Sequence, residues 1–132
     1  MHTKLITRTA PEMLDTLLER LMRAFAGSPL DVVEGKVMTV GPPPYRRLDC
    51  DGRALAYVRR RARKGAVRID VSGLWQAERP SRIRIPTSNG VATLLVRDSH
   101  DLDEAIAFLC DTVERTRRNH RVPSPPRKIF RF

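Results

Sequence analysis

The sequence predicts an α+β domain, an antiparallel β-sheet meander of five or six strands flanked by an N-terminal and a C-terminal amphipathic helix packed on one face. Three observations predict it: apolar residues recur with a 3.6-residue period near both ends, the period falls to two between them, and glycine-containing turn signals divide that middle region. A chain of 132 residues has room for one core. Residues 1–119 therefore read as a single α+β domain, and 120–132 as a basic, proline-containing C-terminal tail.

The first helix is expected from Ala10 to Ala26. Thr9 and Glu12 make a capping box, and Pro11 lies in the first turn, where its missing N–H costs nothing. Leu14, Leu17, Leu18, Leu21, Met22 and Phe25 form one apolar stripe, and Gly27 supplies the stop. Leu102, Ala105, Ile106, Leu109, Cys110 and Val113 repeat the same offsets near the other end. There Asp101 and Glu104 read as a second capping box, and Arg115, Arg117 and Arg118 suit the negative C-terminal end of the helix.

Between the helices, Asp51-Gly52, Lys64-Gly65 and Asn89-Gly90 mark turns. The strand-compatible runs are Lys36 to Val40, Tyr45 to Cys50, Arg53 to Ala62, Ala66 to Ser72, Arg82 to Ile85 and Val91 to Arg97. Val67, Ile69 and Val71 alternate with Arg68, Asp70 and Ser72, which predicts a sheet with one buried and one wet face. Pro42, Pro43 and Pro44 forbid a continuous strand where they stand. Tyr57 and Trp75 read as core residues, although Trp75, in a Gly-Leu-Trp loop, also suits contact with a partner.

Ala56-Tyr57-Val58, the basic hairpin ending in Lys64-Gly65, and Val67-Arg68-Ile69-Asp70 resemble the central hairpin of the YjbR/MmcQ-like small bacterial domains. Val91 to Val96, followed by Asp101-Leu102 and an amphipathic helix, is similar to the closing strand and helix of those domains. The resemblance covers most of residues 10–118 and implies an α–sheet–α fold, sometimes compared with double-wing DNA-binding modules. It brings no catalytic residues with it, and the basic tail departs from it.

The formal net charge is +10. Residues 53–84 hold ten Lys or Arg against Asp70 and Glu78, and residues 115–131 hold seven with no acid; all other positions sum to −5. An arginine bias of genomic origin would spread evenly, so this segregation points to a polyanion. The candidate nucleic-acid contacts are Arg59, Arg60, Arg61, Arg63, Lys64, Arg68, Arg82 and Arg84, with Arg46 and Arg47 extending the positive field. Arg59 to Arg63 are expected to tip a protruding ribbon able to reach duplex DNA, where guanidinium groups grip phosphate in a bidentate way. The competing reading of the same residues is a solvated sheet edge whose charge blocks aggregation.

Arg127, Lys128, Ile129, Phe130, Arg131 and Phe132 follow a proline-rich spacer and read as a docking tail for a protein partner, or as a segment folding back on its own domain. A protein-interaction module is thus the alternative to a nucleic-acid-binding domain. Glycine-rich phosphate loops and nucleophile elbows are missing, and His2, His100 and His120 lack ligand spacing. No enzyme activity, metal or cofactor is expected. Cys50 and Cys110 are too few for a disulfide scaffold; Cys110 reads as a buried hydrophobe and Cys50, beside a turn, as the more accessible thiol. With no apolar run long enough to span a membrane and no secretory signal at the N-terminus, the expected location is the cytoplasm.

Overall fold

A computed structural model describes residues 15–26, 32–35, 45–87 and 91–121. These form helix α1 (15–26), strands β1 (Val33–Glu34), β2 (Arg46–Cys50), β3 (Arg53–Arg61), β4 (Ala66–Val71), β5 (Arg84–Ile85) and β6 (Thr93–Val96), and helix α2 (Ser99–Arg121). The strands make one antiparallel sheet in the order β1-β2-β3-β4-β6-β5. The α+β class and the two framing helices agree with the sequence pattern. The expected strand at Lys36–Val40, the Asn89-Gly90 turn, the Thr9/Glu12 cap and the Gly27 stop lie outside the described residues.

Period-two alternation sorts the two faces. Val58 pairs with Ile69, Arg60 with Val67, Ile69 with Leu94 and Val67 with Val96. These residues therefore share the face covered by the helices. Leu17, Leu21 and Phe25 of α1, and Leu102, Ala105, Phe108, Leu109 and Val113 of α2, complete a single core against them. Phe108 lies outside the stripe read from the sequence, yet it is fully buried. Thr112 and Thr116 beside it are also buried, their hydroxyls donating to the carbonyls of Phe108 and Thr112. Serving those hydroxyls within the helix itself lets α2 bury a wider arc than its apolar stripe alone.

Turn chemistry behaves as its residues demand. Cys50 and Arg53 close a two-residue loop in which Asp51 (φ 55°) and Gly52 (φ 76°) are both left-handed, the type I′ geometry. Arg61 and Ala66 close the β3–β4 hairpin, whose loop is a 3₁₀ turn over Ala62–Lys64 ended by Gly65 at φ 60°. A bulge between Leu48 and Asp49 leaves Leu55 without a register partner on β2, and Leu55 and Ala56 are both buried.

The cap of α2 differs from expectation. Asp98, not Asp101, is the N-cap: its Oδ1 accepts from the Asp101 amide (2.8 Å) and its carbonyl from the Leu102 amide. Asp101 lies inside the first turn, where its Oδ2 reaches back to accept from the Arg97 amide at 3.0 Å. The cap thus lies one turn earlier than expected, and its return bond serves the amide preceding the N-cap instead of that of the N-cap itself.

Two other expectations are corrected. Tyr57 is not in the helix-covered core but half-exposed on the opposite face, because Arg47 and Asp70 are its register partners. Cys50 is the buried thiol and Cys110 the half-buried one; the two-residue turn leaves Cys50 inside the sheet, where burial raises its pKa. Trp75 is core, its indole N–H donating to the Ala54 carbonyl at 2.9 Å with Arg53 across its ring.

Candidate nucleic-acid interface

The β3–β4 hairpin protrudes only at its tip. β3 pairs with β2 as far as Val58, and β4 pairs with β6 as far as Val67, so only about one turn of chain projects past the neighbouring strands. The ribbon of four arginines expected from the sequence is therefore mostly the end of a broad sheet. Alternation then divides the run. Arg60 shares the helix-covered face and pairs with Asp15 of α1 at 3.0 Å. Arg59 and Arg61 point to the open face, and Arg63 and Lys64 occupy the exposed turn.

Ion pairing removes several other candidates from service. Arg68 is held by Asp70 through Nε (3.1 Å to each carboxylate oxygen), and Arg82 by the buried Asp101 at 2.6 Å. Arg84 donates to the Ala77 carbonyl beside the short edge strand β5. Arg46 bridges Glu34 and Glu19; these partners raise its pKa, and its hydrogen bond in turn lowers that of Glu34. Arg47 pairs with Asp49 at 2.7 Å, and Arg117 with Asp51 at 2.8 Å. Arg59 lies over the Tyr45 ring (4.9 Å to its centroid), and Tyr45 meets Tyr57 edge-on.

After these pairings, Arg61, Arg63 and Lys64 have no ion pair or hydrogen bond from their side chains among the described residues. A fourth cation joins them that sequence reasoning missed. Val96 is the register partner of Val67, so Arg97, the next residue, sits at the same end of the sheet as the hairpin turn. Its side chain is exposed and makes no hydrogen bond or ion pair among the described residues, while Asp101 fixes its amide and feels its charge. The available signal was positional: a charged residue just past a strand that pairs with the hairpin. Two strand spacings separate β3 from β6, so the four cations span about 10 Å.

Arg127 to Phe132 lie outside the described residues, and α2 itself continues through Arg121. Among the described residues no three His, Cys, Asp or Glu side chains are grouped to hold a metal ion. No helix among them is long and apolar enough to cross a membrane. A cavity of about 370 Å³ lies at the other end of the sheet, against Val71, Trp75, Gln76 and Arg84. No protein-family model, curated protein or solved structure matches this chain.

Proposed function

We propose that this domain is a non-catalytic nucleic-acid-binding module that grips the phosphate backbone of duplex DNA with the hairpin end of its sheet. The observation that carries the reading is the clustering of cations without ion pairs at one end of the sheet. Acids neutralise Arg46, Arg47, Arg60, Arg68, Arg82 and Arg117; Arg23 and Arg118, on the helices, have no ion pair among the described residues, but Arg61, Arg63 and Lys64 are the ones that stand together, with Arg97 beside them. Unneutralised cations clustered on a rigid element are the electrostatic footprint of a polyanion site.

The shape sets the kind of contact. The sheet end continues past β3, β4 and β6 into further strands and is wider than the two-stranded ribbon a major groove admits, so it meets the backbone rather than inserting between groove walls. Contacts to phosphate position a protein without reading sequence. The test is a low-salt titration of several labelled duplexes of unrelated sequence, with a single strand of equal length alongside. Similar affinity for every duplex, lost when Arg61, Arg63, Lys64 and Arg97 are replaced by alanine, supports the reading. Absence of duplex binding at low salt removes it.

A further inference from the structure

We infer that the cavity at the end of the sheet away from the cationic cluster is a second binding site, one that takes a free amino acid with an aliphatic side chain. The inference goes beyond the nucleic-acid reading and does not rest on it.

A pinned segment builds the cavity. After β4 the chain turns at Ser72, whose carbonyl accepts from the Trp75 amide at 3.2 Å. Trp75 is fixed to β3 by its indole N–H, the Gln76 amide donates to the Thr116 hydroxyl of α2 at 2.8 Å, and the Gln76 side-chain oxygen accepts from Asn119. Anchored in this way, residues 72–78 wall off a space against Val71 and Ala92 without filling it. That space measures about 370 Å³, at the small end of the roughly 300–1,000 Å³ of small-molecule sites. A site held open by its own framework spares a ligand the cost of ordering it.

The lining has two characters. Val71, Trp75 and Ala92 are buried, so the cavity bottoms on the edge of the hydrophobic core. One cation and one anion, Arg84 and Glu78, also line it, and both are exposed. Arg84 reaches from the edge strand β5 to the Ala77 carbonyl at 3.1 Å, which places its guanidinium at the cavity wall, one residue from Glu78 in the chain. Its other N–H groups are unbonded among the described residues. Arg84 and Glu78 nevertheless make no ion pair with each other or with any other described residue, whereas Arg47, Arg68 and Arg82 all take a nearby acid.

A free amino acid supplies both missing partners. Its carboxylate meets the Arg84 guanidinium in a charge-assisted pair, its ammonium meets Glu78, and its aliphatic side chain covers Val71 and Ala92. A plain carboxylate satisfies Arg84 but is repelled by Glu78, and a plain amine has the reverse fault. The pair of opposite charges thus selects for a ligand carrying both.

The chain holds one tryptophan and it lines the cavity, so its fluorescence reports occupancy. Leucine is titrated into the full chain, alongside isocaproate, which lacks the ammonium, and isoamylamine, which lacks the carboxylate, all at equal ionic strength. A saturable change with leucine is expected, with each analogue weaker by about tenfold or more. Arg84→Gln and Glu78→Gln each remove one charge from an exposed side chain, and each is expected to weaken leucine binding about tenfold. No saturable response to leucine in the unaltered chain overturns the site, and that measurement needs no variant. Binding of either analogue as tight as that of leucine, or leucine affinity unchanged in both variants, overturns the assignment to an amino acid.

Discussion

Replacing Asp101 with alanine probes the joint that holds Arg97 at the sheet's end. Asp101 is buried in the first turn of α2, its side chain 8% exposed, and serves two elements at once. The substitution removes the bond from the Arg97 amide, which contributes about 1 kcal/mol. It also removes the ion pair with Arg82, which is 49% exposed and so contributes only about 0.5–1 kcal/mol after solvent screening. A negative charge near the N-terminus of a helix adds about 0.3–1 kcal/mol. The expected loss is about 2–3 kcal/mol, or roughly 6–12 °C in Tm for a domain of this size. Burial works to raise the Asp101 pKa, but the Arg97 amide and the Arg82 guanidinium outweigh it, so the carboxyl titrates below its usual value. A folded-state pKa lower than the unfolded one gives stability that is full above about pH 4 and disappears as pH falls through the folded value. Thermal unfolding followed by circular dichroism should therefore show the largest gap between wild type and Asp101→Ala at neutral pH, shrinking below about pH 4. A gap under 0.5 kcal/mol at pH 7, or one that does not narrow in acid, refutes this account of the joint.

Three further substitutions test the frame around the site. Gly65→Ala meets open space but must adopt φ 60°, so it is expected to cost about 1 kcal/mol by urea denaturation, with nucleic-acid affinity little changed. Trp75→Phe leaves the Ala54 carbonyl without its 2.9 Å donor, and should destabilise by about 1–2 kcal/mol on the same measurement. Thr93→Val keeps the shape but withdraws the hydroxyl that steadies Asp70. It is expected to cost about 1 kcal/mol and to broaden the Arg68 Nε–H resonance as that guanidinium loosens.

The fold was legible because its signals are local. Two helical stripes, strict alternation in Val67 to Ser72, and an Asp-Gly pair that needs two left-handed residues each name their own structure. Strand β1 was not legible, since Val33–Glu34 carries too few residues for any period to show. The site was only half legible. That Arg68 neutralises against Asp70, and Arg47 against Asp49, is readable from opposite charges two apart on one strand face. The pairing of Arg60 with Asp15 and of Arg82 with Asp101 depends on how helices dock and strands register across long stretches of sequence. Those docking choices turned an expected ribbon of arginines into a smaller cluster. They also recruited Arg97, which in sequence is merely the last residue of a strand pattern.

The salt dependence of duplex affinity tests the central claim most directly. Each phosphate neutralised contributes about −0.9 to the slope of log affinity against log salt, so four cations predict a slope of about −3.6. With Arg61, Arg63, Lys64 and Arg97 all replaced by alanine, that slope should collapse toward zero along with the affinity. If the quadruple variant binds as tightly as wild type and keeps its slope, the hairpin end of the sheet is not where the polyanion sits.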